Sequence, residues 1–103
     1  MLDVGCAGWK LHDARPDLAH YGCDLEDLPT PEGVEFDICN VDCDPLPWPE
    51  DHFELVVASH LIEHLRNPIA AFEEFVRVCK PNGHIYIETP LDRSAQISIR
   101  NAG

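Results

Sequence analysis

The sequence predicts an α/β fold built on one mainly parallel β-sheet. Short apolar runs alternate along the chain with loops rich in Asp, Pro and Gly, and this alternation is typical of parallel strands joined by crossover segments. The run at residues 55–58 (LVVA) is apolar at every position, as expected of a central strand buried on both faces. A helical pattern of apolar residues follows from residue 68, which predicts a helix that covers one face of the sheet.

Five strands are predicted, at residues 1–4, 19–23, 35–39, 54–58 and 84–89. A chain of 103 residues has room for one small core, so residues 1–103 are predicted to form a single domain. Between the first two strands, Pro16 disfavours helical backbone at Arg15. We therefore expect a turn or a short helix in that crossover.

The most clearly predicted helix begins at Pro68, directly after Asn67, and ends at about Cys79 before the KPNG sequence of residues 80–83. Asn side chains cap helices, and Pro is favoured in the first helical turn because its missing N–H is not needed there. Gly and Pro close behind the last turn stop the helix. A shorter helical turn is predicted at residues 60–65.

The two faces of this helix differ in polarity. The predicted buried face consists of Ile69, Phe72, Val76 and Cys79. Residues at this spacing form one stripe along a helix, which is expected to pack against the sheet. Glu73 and Arg77 lie four residues apart and are predicted to form an ion pair on the solvent side.

The composition limits the classes of partner. The chain carries 19 acidic and 7 basic residues, for a net charge of -12, so nucleic acids and anionic lipid surfaces would be repelled. No run approaches the roughly 20 apolar residues that a membrane span needs, and the first residues lack the pattern of a signal peptide. We therefore expect a soluble cytoplasmic protein with no nucleic-acid and no membrane partner.

The five cysteines are odd in number and lie scattered through apolar runs, which predicts buried, reduced thiols. Cys39 and Cys43 are separated by three residues and could form half of a metal site. No second pair of His or Cys follows them at the spacing of a zinc finger. No metal site is predicted.

The first nine residues (MLDVGCAGW) predict a ligand site. A short apolar strand that carries Asp3 runs directly into a turn rich in Gly and Ala, as buried parallel strands do where their backbone approaches a ligand. Gly5 and Gly8 have no Cβ, so the backbone can come close to the ligand there.

Five further motifs follow this turn in a characteristic order. They are YGCD (residues 21–24), DCDPLPWP (42–49), FELVVAS (53–59), EHL (63–65) and RVCKPNG (77–83). Together with the glycine turn they resemble the class I S-adenosylmethionine-dependent methyltransferases of the type 11 group, and the resemblance spans nearly the whole chain. It implies a Rossmann-like sheet in the order 3-2-1-4-5, with S-adenosyl-L-methionine bound at the switch between the first and fourth strands. It also implies methyl transfer to a small-molecule acceptor through an N, O or C nucleophile.

The resemblance assigns each part of the cofactor to particular residues. The methionine part would be held by Asp3, Gly5, Cys6, Ala7 and Gly8. The ribose would be held by Asp24, and the adenine by Leu25, Asp42 and Cys43. Ser59 and His60 would lie nearest the methyl group, and His64 would contact the acceptor or take its proton. A carboxylate at a strand end can accept hydrogen bonds from both ribose hydroxyls. Two alternatives stay open, in which Asp24 is an ordinary turn acid and Asp42 caps a loop.

The sequence departs from the family pattern in two respects. Ala7 and Trp9 stand where the family usually has glycine, and the Cβ of Ala7 narrows the turn. The chain also starts on the first strand and ends about 14 residues after the fifth, without the family's preceding helix and last two strands. The fifth strand is therefore expected to be an unpaired edge, through which the chain could form a homo-oligomer.

Three other hypotheses compete with methyl transfer. His60 and His64 fit the H-x-x-E-H pattern of inverted zinc peptidases, but no third ligand is evident. A nicotinamide-binding domain would require Gly at positions 7 and 10, which are Ala7 and Lys10. The third is a non-catalytic methyltransferase-like module that serves as a binding partner or subunit.

Overall fold

The computed structural model describes residues 1–5, 19–25, 29–59, 61–90 and 94–100. Within these ranges one sheet of six strands has the order β3-β2-β1-β4-β5-β6. The strands are β1 (Leu2–Val4), β2 (Tyr21–Asp24), β3 (Glu35–Ile38), β4 (Phe53–Ser59), β5 (Cys79–Pro90) and β6 (Ser94–Arg100). The first five run parallel, which confirms the predicted α/β class and the order 3-2-1-4-5. The crossover between β1 and β2 (residues 6–18) lies outside the described residues.

The centre of the sheet is formed by β1 and β4, which lie side by side. Leu2 and Val4 of β1 pair in register with Val56 and Ala58 of β4, and all four side chains are completely buried. The run of apolar residues in β4 is buried because elements pack on both faces of a central parallel strand. No helix among the described residues has the length and apolarity to cross a membrane.

Helix α1 (Pro68–Val78) connects β4 to β5. The side chain of Asn67 accepts a hydrogen bond from the Ala70 amide at 3.3 Å, so the predicted cap and the start at Pro68 are confirmed. The helix ends at Val78, and the amide of Cys79 donates the last hydrogen bond, to the Phe75 carbonyl. The backbone of Cys79 is extended and begins β5. A single 3₁₀ turn (Ile62–His64) lies within the segment predicted to be a short helical turn.

The buried face of α1 differs from the predicted one. Ala71, Phe75 and Val78 are completely buried, whereas Ile69 is 72% exposed; Phe72 and Val76 flank the buried stripe. The prediction followed the helical spacing from Ile69 through Phe72 and Val76, and it left out Ala71 and Phe75 on the neighbouring stripe. Packing against the sheet instead selects a stripe that is rotated around the helix from the predicted face.

The crossover from β3 to β4 contains no helix in its described residues 39–52. It runs in an irregular path beside α1, and Pro at 45, 47 and 49 favours this extended backbone. The Trp48 ring is buried and meets the rings of Tyr21 and Phe53 edge to face, with centroid separations of 6.5 and 5.5 Å. These contacts fix the end of the crossover against the first residues of β2 and β4.

The edge of β5 is not free, contrary to the sequence-based expectation. β6 pairs antiparallel with β5 from His84 to Pro90, so the sheet has one strand more than predicted. Residues 94–100 (SAQISIR) do alternate between polar and apolar types, a pattern typical of a strand. The prediction of self-association through β5 therefore loses its structural basis.

Substitutions on α1 should distinguish the observed buried face from the predicted one. Phe75→Ala is expected to lower the free energy of unfolding by about 3–5 kcal/mol, because it leaves a cavity in the core. Ile69→Ala on the same helix should change it by less than about 0.5 kcal/mol, since Ile69 is exposed. Urea denaturation of the two variants measures both values. Equal losses would contradict the observed orientation of the helix.

Candidate functional site

The carboxyl ends of the parallel strands meet at one edge of the sheet, and four of the predicted cofactor residues lie there, namely Gly5, Asp24, Leu25 and Ser59. The Gly5 amide donates a hydrogen bond to the Cys23 carbonyl at 2.8 Å, and the Cys39 amide donates one to the Asp24 carbonyl at 2.8 Å. These bonds place the ends of β1, β2 and β3 side by side. Ser59 ends β4 at the same edge.

The turn after β1 depends on glycine. Gly5 has φ of +73°, a left-handed backbone that residues with a side chain rarely adopt. A Cβ at this position would lie 3.4 Å from Cδ1 of Leu61, which follows β4 and covers the turn. The glycine and Leu61 thus meet between β1 and β4, where the strand order reverses and open α/β sheets bind ligands. Leu61 was not among the predicted site residues, and its only signal in the sequence is its position just after a strand.

Asp3 is a buried carboxyl group at this site. It is 7% exposed in the middle of β1, and the loss of solvent raises its pKa to about 7, with a further contribution from the negative charge of Asp24. Asp3 pairs in register with Gly22, two residues before Asp24 on β2, so the two carboxyl groups lie on the same face of the sheet. A cation bound between them would favour the ionised form of Asp3.

Asp24 lies next to exposed apolar surface. One of its carboxylate oxygens accepts a hydrogen bond from the Leu25 amide at 2.7 Å, and it pairs in register with Ile38 on β3. Leu25 and Ile38 are 61% and 60% exposed. A carboxylate flanked by two exposed apolar side chains can bind a ligand that joins hydroxyl groups to a flat apolar ring. Ile38 was not among the predicted site residues.

Asp42 is engaged in a different way from the one the resemblance implies. Its carboxylate accepts hydrogen bonds from the Arg66 amide at 2.9 and 3.0 Å and from the Asn67 amide at 2.8 Å. These backbone donors, Arg66 first and then Asn67, lower the pKa of Asp42. The contacts correspond to the alternative in which Asp42 caps a loop.

A cavity of about 390 Å³ separates the β3–β4 crossover from the start of α1. Its lining includes Asp42, Cys43, Asp44, Asn67, Glu73 and Glu74. Asp42 and Cys43 thus face a space that can hold part of a ligand, and four carboxyl groups surround it. This negative lining disfavours an anionic occupant.

The family assignment agrees with this geometry. The family model described as a methyltransferase domain matches residues 2–87. The chain belongs to the methyltransferase domain family. The resemblance to class I S-adenosylmethionine-dependent methyltransferases is thereby confirmed, and the match favours this family over the nicotinamide-binding alternative.

Relatives and solved structures support the same family and fold. Ajmaline N-methyltransferase of Rauvolfia serpentina is 32% identical to the methyltransferase domain over 108 residues, which cover 90% of this chain and 36% of that protein. An S-adenosylmethionine-dependent methyltransferase from Mesorhizobium loti superposes with a TM-score of 0.73 at 20% identity, over 97% of this chain and 56% of the other. Phosphoethanolamine N-methyltransferase 2 of Haemonchus contortus, in complex with S-adenosylhomocysteine, superposes with a TM-score of 0.71 at 21% identity, over 86% of this chain and 24% of the other. The chain spans little more than a third of the length of the curated relative.

The remaining predicted site residues are those of the glycine turn, Ser59 and two histidines. Cys6, Ala7, Gly8 and His60 lie outside the described residues. His64 is exposed on the 3₁₀ turn, and its Nε2 lies 3.7 Å from Oε1 of Glu63. Ser59 is half-buried and pairs in register with Glu88 of β5.

The four cysteines among the described residues form no disulfide; they are Cys23, Cys39, Cys43 and Cys79. Cys43 is exposed, whereas a buried thiol was predicted there. Burial, followed by the negative charge of Asp44, raises the pKa of Cys39 to about 11. In the part of the chain that the structure describes, no three His, Cys, Asp or Glu side chains are grouped to hold a metal ion.

The raised pKa of Asp3 predicts a dependence of stability on pH. The folded protein keeps a proton on Asp3 up to about pH 7, whereas in the unfolded chain the pKa of Asp3 has its ordinary value of 3.8. The free energy of unfolding should therefore fall as the pH rises between these values, by up to about 1.4 kcal/mol per pH unit. Urea denaturation across this range should show that Asp3→Asn removes the slope.

Asp24→Asn serves as the matched control for this experiment. It removes the neighbouring negative charge and should lower the pKa of Asp3, but it leaves the burial of Asp3 unchanged. The slope should then persist over a narrower range of pH. An unaltered profile in Asp3→Asn would contradict the assignment to Asp3.

Proposed function

We propose that the methyltransferase domain binds S-adenosyl-L-methionine at the carboxyl edge of β1, β2 and β4 and positions it for methyl transfer to a small-molecule acceptor. The observation that carries the proposal is the pair of neighbouring carboxyl groups, Asp3 and Asp24, beside the left-handed glycine turn. The cofactor carries a positive sulfonium and a positive amine, so a negative site favours it.

The residues at the site match the parts of the cofactor in turn. Asp3 and the turn at Gly5 would hold the methionine part, together with the undescribed residues 6–8. Asp24 would accept hydrogen bonds from the ribose hydroxyls, since it lies at the end of β2. Leu25 and Ile38 would contact the adenine ring through their exposed apolar surface.

Asp42 and Cys43 would form the outer wall of the adenine site. The carboxylate of Asp42 is held by two backbone amides, so its main effect is to fix the loop in place. The Cys43 side chain is exposed beside it and lines the cavity. In this arrangement Asp42 acts on the adenine site through the position of Cys43 and the adjacent backbone.

The domain contributes to the reaction mainly by orientation. S-adenosyl-L-methionine supplies an already activated methyl group, so a well-oriented acceptor needs little further activation. Ser59 and His60 follow β4 and would lie nearest the methyl group, while the exposed His64 would contact the acceptor or take its proton. That phosphoethanolamine N-methyltransferase 2 has this fold and binds S-adenosylhomocysteine supports the proposal.

Calorimetric titration with S-adenosylhomocysteine tests the binding site. The wild-type domain is expected to bind, and Asp24→Asn should weaken binding about tenfold or more, because charge-assisted hydrogen bonds to the ribose are lost. Asp51→Asn is the matched control. It removes the same charge just before β4, at the opposite end of the sheet, and its left-handed backbone (φ of 55°) suits Asn.

The outcomes separate the hypotheses. Unchanged affinity in Asp24→Asn would refute the ribose assignment, and equal losses in both variants would indicate a general effect of charge. If the wild-type domain binds neither S-adenosylhomocysteine nor S-adenosyl-L-methionine, the proposed function is wrong. The non-catalytic module would then be the better hypothesis.

A further inference from the structure

One ion pair on α1 holds the backbone of the β3–β4 crossover. Arg77 donates from Nη1 to the Trp48 carbonyl and from Nη2 to the Leu46 carbonyl, both at 2.9 Å. Its Nε also donates to Oε2 of Glu74 at 2.8 Å, and Oε1 of Glu74 accepts the Leu46 amide at 2.8 Å. We call this group the Glu74–Arg77 clamp. The predicted partner of Arg77 was Glu73, so that prediction was wrong.

The clamp satisfies backbone groups that have no partner in the sheet. The side chains of Leu46 and Trp48 are 3% and 8% exposed, so their stretch of the crossover lies against the core. Proline at 45 and 47 has no amide to donate. Backbone groups near the core require hydrogen bonds, and Arg77 supplies donors in a rigid planar arrangement that can serve two carbonyls at once.

The same crossover is held at its other end by Asp42. The hydrogen bonds from the Arg66 and Asn67 amides to this carboxylate attach the start of the crossover to the start of α1. Residues 42–48 are therefore fastened to the helix region at two points. Cys43, Asp44 and Pro45 lie between these points and line the cavity.

We propose that Glu74 and Arg77 are positioning residues for the adenosine end of the cofactor. By fixing Leu46 and Trp48 against α1, they hold the Cys43 stretch in place as one wall of the proposed adenine site. This inference rests on the function proposed above. Neither side chain needs to touch the cofactor for this role.

The chemistry of the clamp explains why a salt bridge is used here. Hydrogen bonds from Arg77 are the main reason that the pKa of Glu74 is lowered, and the same hydrogen bonds raise the pKa of Arg77. Both groups thus stay charged, and charge-assisted hydrogen bonds have the stricter geometry. A lysine at position 77 would keep the charge, but a single ammonium group cannot reproduce the same planar set of contacts.

Binding measurements on Arg77 variants test the proposal. The ligands are S-adenosylhomocysteine and 5′-methylthioadenosine, which share the adenosine part. Arg77→Met should weaken both by a similar factor of about ten, measured well below the melting temperature of the variant. Arg77→Lys should give a smaller loss for both ligands. Lys80→Met removes a positive charge from an exposed residue after the same helix, and it should leave both affinities unchanged.

A merely structural role would give a different result. Arg77→Met would then lower the melting temperature, but the folded protein would bind both ligands as tightly as the wild type, which overturns the proposal. Loss confined to S-adenosylhomocysteine would also overturn it, because the effect would lie at the methionine end.

If Arg77→Met does not fold, Glu74→Gln replaces it, since the amide oxygen still accepts the Leu46 amide. About threefold weaker binding by that variant supports the proposal, and unchanged affinity refutes it. Failure of the wild type to bind would instead refute the proposed function itself.

Discussion

The parallel pairing of β1 with both β2 and β4 is the constraint on which the rest of the structure depends. β1 has only three residues, yet it pairs on one side with β2 and on the other with β4. The next two strands in the chain, β2 and β3, lie on one side of β1, and the later strands lie on the other side. Open α/β sheets have a crevice at the carboxyl ends of the strands where the strand order reverses in this way. The glycine turn, Asp3 and Asp24 lie at that crevice because they end or directly precede the strand ends. A shift of β1 by one residue would turn Asp3 to the other face of the sheet.

A second part of the structure, the crossover from β3 to β4, is held in place by α1. The crossover from β3 to β4 has no helix in its described residues, so it cannot satisfy its own backbone groups as a helix does. It relies on α1 instead, through Asp42 at one end and the Glu74–Arg77 clamp at the other. An extended segment that is fastened in this way can be short and still hold a defined position. The cavity beside it is a consequence of the two attachments.

The electrostatics of the domain differ between its surface and its site. The chain has a net charge of -12, and most of its described carboxylates are exposed, where water and salt screen them effectively. Asp3 is buried, so its charge is disfavoured unless a positive group approaches it. This contrast makes Asp3 responsive to a cationic ligand in a way that the surface carboxylates are not. It also separates the role of Asp3 from that of Asp42, whose ionised form is already favoured by backbone amides.

The sequence by itself determined the features that depend on local pattern. The apolar run of β4, the turn at Gly5 and the Asn67 cap were all predicted, because each follows from a few neighbouring residues. Tertiary structure decided the features that require a distant partner. β6 is a different case, because its pairing with β5 begins between Pro90 and Ser94, which lie close together in the chain; the alternation of residues 94–100 was a local signal that the prediction did not use. Arg77 could reach Glu73 or Glu74 along the helix, and the backbone of Leu46 made the choice, because only the pair with Glu74 also satisfies the buried crossover.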